Sequence, residues 1–379
     1  MKAFILGPAY PLRGGIADTN ESFARALNRH GCTTTILSYR YQYPGMLFPG
    51  KTQFAEGPPP DNLPKVKPIL HSLRPDNWLR TGRYIKRQNP DFIISRFWMP
   101  FFSPALGSIH RILGTGCPRL ALTDNLIPHE HRPGDDALIK YFVKSCDAFV
   151  AMSKTVQEEV RQYSNRPGLY LPHPVNEGLG EKMNREEARR TLNLRQDGVQ
   201  LLFFGLVRAY KGLDLLLEAL SLAPVRDLNW HLVVAGEFYE NAEVYHQQVA
   251  RLGLEDRVRF DEGFVPRDKI PLYFSAADLV AQPYRTATQS GITQMAYHFD
   301  CPMLVTNVGG LPDMVPDREA GYVVPPQPEA IAKAIDHFIS RRKYEAYSRN
   351  VSQLKKQFTW DAFVGHLLKF VNDLRSTPY

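Results

Sequence analysis

Arg208 and Lys211 stand three residues apart in the segment Phe203-Phe204-Gly205-Leu206-Val207-Arg208-Ala209-Tyr210-Lys211-Gly212. The apolar run before Gly205 reads as a buried strand, and the run after Gly212 reads as a helix. Ligands of doubly wound sheets bind at such carboxyl ends of strands. An arginine there can hold phosphate oxygens in two parallel hydrogen bonds, and a lysine adds a mobile point charge. The helix start adds partial positive charge. Two cations at this junction suit a diphosphate. The plainer alternative is a pair of solvated loop cations.

Three further segments have the same strand–loop–helix form. Arg13-Gly14-Gly15-Ile16-Ala17 follows the first strand, and its paired glycines let a ligand approach the backbone. Ala287-Thr288-Gln289-Ser290-Gly291-Ile292-Thr293-Gln294 follows the strand ending near Gln282. Gln289, Ser290, Gly291, Ile292 and Gln294 offer side-chain groups and N–H donors to sugar or phosphate oxygens. Leu122-Thr123-Asp124-Asn125-Leu126-Ile127-Pro128-His129-Glu130-His131 crowds polar residues at a strand end. His129 there could position a hydroxyl or stabilise a charged transition state. His129 and His131 alone make a weak metal site, so no metal is expected. Gly114-Thr115-Gly116 lacks a third glycine and precedes Pro118, which argues against a dinucleotide-binding oxidoreductase.

These segments need a frame. Short apolar runs at 3–6, 33–39, 91–95, 119–123 and 148–152 alternate with helical patterns. A second series begins at 200–204 and continues through 230–235, 258–260, 279–282, 303–306 and 321–324. Continuous apolar runs mark strands covered on both faces, so the fold class is α/β with two doubly wound, Rossmann-like domains. The expected division is 1–172, 173–355, and a closing segment 356–379. That segment is an amphipathic helix with Phe363, Leu367, Phe370, Val371 and Leu374 on one face. Residues 40–80 are rich in Pro and Gly and read as a long insertion or loop.

The 379 residues suit two domains, and their 44% hydrophobic content fits a globular chain. No apolar run approaches the roughly 18–20 residues that span a bilayer. Four scattered cysteines show no metal or disulfide spacing, so a reducing, cytoplasmic setting is expected. Residues 1–175 carry 22 Lys and Arg against 13 Asp and Glu, and residues 176–379 carry 24 against 26. The first half is therefore the basic one, which favours an anionic partner there. No nucleic-acid-binding module accompanies that charge, so nucleic acid is not expected.

Taken in order, these segments resemble the retaining nucleotide-sugar glycosyltransferases of the GT-B fold, specifically glycosyltransferase family four. Gly14-Gly15, the Gly205-x-x-Arg208-x-x-Lys211-Gly212 segment and Cys301-Pro302 through Gly309-Gly310-Leu311-Pro312 carry the likeness. It implies a donor held in a central cleft between the two domains, with the closing helix returning to the first. It implies a UDP- or GDP-linked sugar as donor and no cofactor. Arg208 and Lys211, with N–H groups of Gly14 and Gly15, would neutralise the departing diphosphate without a metal. His129 would lie near the sugar, and Asn125 and Glu130 would shape the acceptor pocket. Gly236, Phe264 and Val265 fall where such proteins hold the base.

The family's two glutamates, eight positions apart, are missing. Their places fall at Thr288 and at Met295 or Ala296, with Gln289 and Gln294 the nearest polar residues. The implied function is hexosyl transfer to a glycan or lipid-linked sugar, as in polysaccharide biosynthesis. The alternatives are a catalytically silent nucleotide-sugar-binding protein and a GT-B-fold sugar-nucleotide epimerase. The basic stretch with Arg74, Arg80, Arg83, Lys86 and Arg87 would suit peripheral contact with the inner face of a membrane, or a solvated helix face.

Overall fold

A computed structural model describes residues 1–44, 53–55, 58–60, 62–128, 132–175, 178–287 and 290–376. His129, Glu130, His131, Thr288 and Gln289 lie outside the described residues. The chain divides into two compact units, Met1–His173 with Thr359–Tyr379, and Pro174–Phe358.

The first unit holds β1 (Lys2–Leu6), β2 (Thr33–Tyr41), β3 (Val66–His71), β4 (Phe92–Phe97), β5 (Arg119–Thr123), β6 (Ala148–Ala151) and β7 (Gly168–Tyr170). They form one sheet in the order β3-β2-β1-β4-β5-β6-β7, parallel at every pairing. β1 shows why its sequence is apolar throughout. Ala3 and Ile5 enter the core under helices Gly15–Arg29 and Trp360–Ser376, while Phe4 and Leu6 enter the core on the opposite face. A strand covered on both sides has no polar alternation to keep.

The closing helix Trp360–Ser376 is bound to this unit by aromatic packing. The Trp360 and Phe363 rings lie 5.7 and 5.8 Å from Phe23. Leu367, Val371 and Leu374 are buried, and Phe370 packs partly buried against the same core.

The second unit holds β8 (Val199–Phe204), β9 (Trp230–Gly236), β10 (Val258–Glu262), β11 (Leu279–Gln282), β12 (Met303–Thr306) and β13 (Gly321–Val324). Their order is β10-β9-β8-β11-β12-β13, again all parallel. Leu201 and Phe203 of β8 face one core, and Leu202 and Phe204 face the other.

Each sheet reverses its winding once, between β1 and β4 and between β8 and β11. The crevice outside the carboxyl ends of the strands at such a reversal is where ligands of this architecture bind. The segments singled out by chemistry follow β1, β5, β8 and β11.

One expectation is corrected. Residues 40–80 are not simply a loop, because β3 and the start of helix Pro75–Arg87 lie there. β3 is the edge strand, contains Pro68 and buries little, so it lacks an interior strand's apolar run.

Candidate nucleotide-diphosphate site

β8 ends at Gly205, whose φ of +93° suits glycine. The loop then runs through Arg208 and a single turn, Ala209–Lys211, into helix Leu213–Ser221. Gly212 lets that turn close on β11: a Cβ there would lie 2.1 Å from the Pro283 carbonyl oxygen.

Hydrogen bonds hold the loop from several sides. Val207 N–H donates to the Glu237 carbonyl (2.8 Å), and Ala209 N–H donates to Glu240 Oε1 (2.8 Å). Arg285 N–H donates to the Tyr210 carbonyl (2.7 Å), while its guanidinium grips Asp214 at 2.7 and 2.5 Å. The backbone carrying the two cations is thus fixed by partners other than those cations.

Among the described residues the cations themselves have no counter-ion. Lys211 is 9% exposed, and its ammonium makes no ion pair or hydrogen bond among the described residues. It lies 5.6 Å from the Tyr284 ring centroid. Burial, with the nearby Arg208 charge, pulls its pKa from 10.5 down to about 8. The Arg208 guanidinium lies 4.6 Å from the Tyr239 ring centroid, and its Nε is buried with no hydrogen-bond partner among the described residues. Two cations held on a rigid loop, one of them buried, make a site that an anion would complete.

The second wall comes from the loop after β11. Ser290 caps helix Gly291–His298, its Oγ accepting from Ile292 N–H at 3.2 Å. Tyr284 is buried beneath, with its hydroxyl 3.3 Å from Ser290 Oγ, and burial pushes its pKa up. Ile292 reaches Gly205: its Cδ1 would be 3.2 Å from a Cβ there. Gly205, Lys211 and the helix start at Ser290–Ile292 are therefore neighbours. Gln294 is buried, and its Oε1 has no partner among the described residues. Gln282, at the end of β11, accepts from Thr293 Oγ1 at 3.0 Å and leaves its own Nε2 unpartnered.

The remaining expected residues are spread more widely. Gly236 ends β9, and a Cβ there would lie 2.0 Å from the Gly205 carbonyl oxygen. That contact alone requires glycine, whatever Gly236 does for a ligand. Phe264, after β10, is 77% exposed, and Val265 packs partly buried against the core. In the first unit, Gly14 (φ +122°) precedes helix Gly15–Arg29, and the space beside Gly14 and Gly15 is open. Asn125 is half-buried, with its Oδ1 unpartnered. Tyr239, Tyr284 and Gln282 were not singled out from sequence. For the two tyrosines, an aromatic residue two or three positions past a strand end was the signal; Gln282, the last residue of β11, gave none.

Comparison with known proteins agrees with this architecture. Residues 13–176 match the model of Glycosyltransferase Family 4, and residues 184–355 match that of Glycosyl transferases group 1. The chain belongs to the family-four glycosyltransferases. An uncharacterized glycosyltransferase of Methanocaldococcus jannaschii is 24% identical, with 95% of each chain aligned. A D-inositol 3-phosphate glycosyltransferase of Streptomyces avermitilis is 30% identical across 58% of this chain, which spans half of that protein.

Among solved structures, sucrose-phosphate synthase of Thermosynechococcus elongatus superposes with a TM-score of 0.74. The match covers 99% of this chain and 100% of that one, at 17% identity. Anabaena HepE in complex with UDP gives 0.72 at 18% identity, covering 97% and 100% of the two chains. The shared fold is GT-B.

Proposed function

We propose that the protein transfers a hexosyl group, with retention of anomeric configuration, from a UDP- or GDP-linked sugar to a glycan or lipid-linked sugar. The observation that carries this reading is the buried, counter-ion-free Lys211 beside Arg208 at the β8–β11 reversal. In the transfer, the bond from the sugar's anomeric carbon to the diphosphate breaks. A bond from the acceptor hydroxyl forms on the same face, and the acceptor's proton passes to the departing phosphate oxygen. The leaving group gathers negative charge, and Arg208 and Lys211 meet it without requiring a metal ion. Removing one such preorganised donor costs about 10²–10³ in rate, or about 3–4 kcal/mol. The start of helix Gly291–His298, beside Gly205, would add N–H donors.

The HepE complexes with UDP and UDP-glucose support a uridine nucleotide as the first to test. Gln294, the polar residue nearest the place of the family's second carboxylate, would accept from a donor hydroxyl. His129 and Glu130, with Asn125, remain the proposed acceptor side. No described helix is long and apolar enough to cross a membrane. Helix Pro75–Arg87 leaves Leu79 and several cations exposed, and neighbouring Leu73 is exposed too, which supports peripheral contact with an anionic surface.

The absence of carboxylates at 288, 295 and 296 favours a second reading, a protein that binds nucleotide sugars without turning them over. Incubation with UDP- and GDP-sugars, followed by assay of released UDP or GDP, separates the two. Release above the uncatalysed rate supports transfer. Binding without release supports the silent protein.

A further inference from the structure

Helices Leu213–Ser221 and Glu243–Leu252 start beside each other at the carboxyl edge of the second sheet, and a cavity of about 540 Å³ opens at their starts. The turn Ala209–Lys211 and the loop after β11 complete its walls through Ala209, Tyr210 and Arg285. Those walls are tied together. Gln248 Nε2 donates to the Asp214 carbonyl (3.0 Å), and Arg285 Nη1 donates to the Ala209 carbonyl (2.9 Å). Of the lining side chains, Tyr210 and Val244 are exposed and Tyr245 is buried.

The charged groups of the lining are Asp214, Glu240 and Arg285. Arg285 grips Asp214 through two bonds, so those charges cancel. Glu240 is left over. Its Oε1 accepts from Ala209 N–H (2.8 Å) and its Oε2 from the Tyr245 hydroxyl (3.4 Å), both neutral donors. Among the described residues it pairs with no cation. The cavity is therefore net negative. Tyr245 feels this: burial, and then the charges of Glu240 and Asp214, push its phenol up to about 12.

We infer that this cavity is a second ligand site, for a small organic cation: an ammonium group carried on an apolar body. Its volume falls within the roughly 300–1,000 Å³ of small-molecule sites, and its tied walls make it largely preformed. Tyr210, Val244 and Tyr245 offer apolar surface to the body, and aromatic rings attract a cation over their faces. Glu240 supplies the charge and the acceptor oxygens that an ammonium requires.

The cavity is separate from the diphosphate site. Neither Arg208 nor Lys211 lines it. Lys211 turns toward Gly205 and Tyr284, and Arg208 toward Tyr239. A diphosphate would meet Glu240 as a like charge. The two sites thus sort ligands by sign, although one turn, Ala209–Lys211, serves both. Another cavity, of about 360 Å³ at the amino-terminal edge of the first sheet, has no such surplus. Its Asp91 pairs with Arg375 at 2.7 Å, and its Asp147 with Arg119 at 2.6 Å. The inference goes beyond the proposed function and does not depend on it.

Titration followed by saturation-transfer NMR tests it on the full chain at pH 7. The probes are phenethylammonium and isoamylammonium, with the matching alcohols as neutral counterparts. Native protein is expected to bind at least one ammonium at least about fivefold tighter than its alcohol. Glu240→Gln keeps an acceptor for Ala209 N–H but removes the charge, and should bring the two within about twofold. Val244→Arg places a like charge at an exposed position, so it still tests the idea if the glutamine variant disturbs the loop. It should weaken ammonium binding about tenfold or more.

Four results would overturn the site: no ammonium bound by native protein, alcohol bound equally well, an undiminished preference in Glu240→Gln, or undiminished binding in Val244→Arg. Displacement of the ammonium by UDP or GDP would do the same, since it would merge the cavity with the nucleotide site. Ammonium binding as expected, without UDP or GDP binding, keeps this site and rejects the donor reading. Nucleotide binding without ammonium binding rejects this site alone.

Discussion

The Lys211 ammonium stands 3.6 Å from the point where a Cβ on Gly205 would sit. The glycine that ends β8 thus leaves room for the cation carried six residues later. Gly205 N–H donates to the Ala235 carbonyl at 2.9 Å, so the sheet holds one side of that arrangement. The Arg285–Asp214 pair holds the loop on the other. A rigid backbone offering unneutralised cations is what a developing diphosphate charge requires.

The first prediction concerns charge at rest. Lys211 titrates near about 8 because burial disfavours its charged form, below its ordinary 10.5. The unfolded chain therefore holds more protons than the native one between these values, and ligand-free stability rises with pH across that window. Lys211→Met has no charge to bury. It should raise ligand-free stability at pH 7 by about 2–3 kcal/mol and remove the lysine's share of the rise with pH, as read by urea unfolding at pH 7 and pH 9.5. Destabilisation by Lys211→Met would place a hidden counter-ion beside the lysine.

The second concerns binding and pH. Only the ammonium form attracts a diphosphate, so UDP or GDP affinity should be level below about 8 and fall as pH rises past it. The limiting slope is about tenfold per pH unit. Affinity measured from pH 6.5 to 9.5 reads it directly, and a flat profile would mean that Lys211 does not meet the ligand.

The third concerns Gln294. Its Oε1 is buried without a partner, so it lowers stability unless a ligand meets it. Gln294→Leu should leave ligand-free melting unchanged or raised, and weaken nucleotide binding about tenfold. Unchanged binding with raised stability would remove Gln294 from the donor site.

The fourth concerns Gly236. A Cβ there would collide with the Gly205 carbonyl, and its φ is +151°. Gly236→Ala should cost about 1–3 kcal/mol, read by chemical unfolding, and should disturb the cation loop through Gly205. A neutral effect would show that β8 and β9 can part without loss.

Much of this fold was legible in the sequence, for identifiable reasons. β1 and β8 announce themselves because neighbouring residues enter opposite cores, so every position is apolar. Arg208 and Lys211 are legible because one short loop carries both. β3 was hidden by Pro68 and by its edge position. Tyr284 beneath Lys211 was hidden because 73 residues separate them, and only the β8–β11 pairing brings them together. The buried Arg96–Asp124 pair, 2.6 Å apart, was hidden likewise, since β4 and β5 become neighbours only in the sheet. A single glycine such as Gly236 does not reveal in sequence that it meets a carbonyl.

Calorimetric titration of UDP and GDP into the native protein and into Arg208→Ala/Lys211→Ala tests the central claim most directly. The account predicts that at least one nucleotide binds the native chain. It predicts a loss of at least about 100-fold in the double variant, each step of 1.4 kcal/mol being tenfold, while the ligand-free protein stays folded. Equal affinity in the two proteins would contradict the assignment of these cations to the diphosphate, and with it the proposed chemistry.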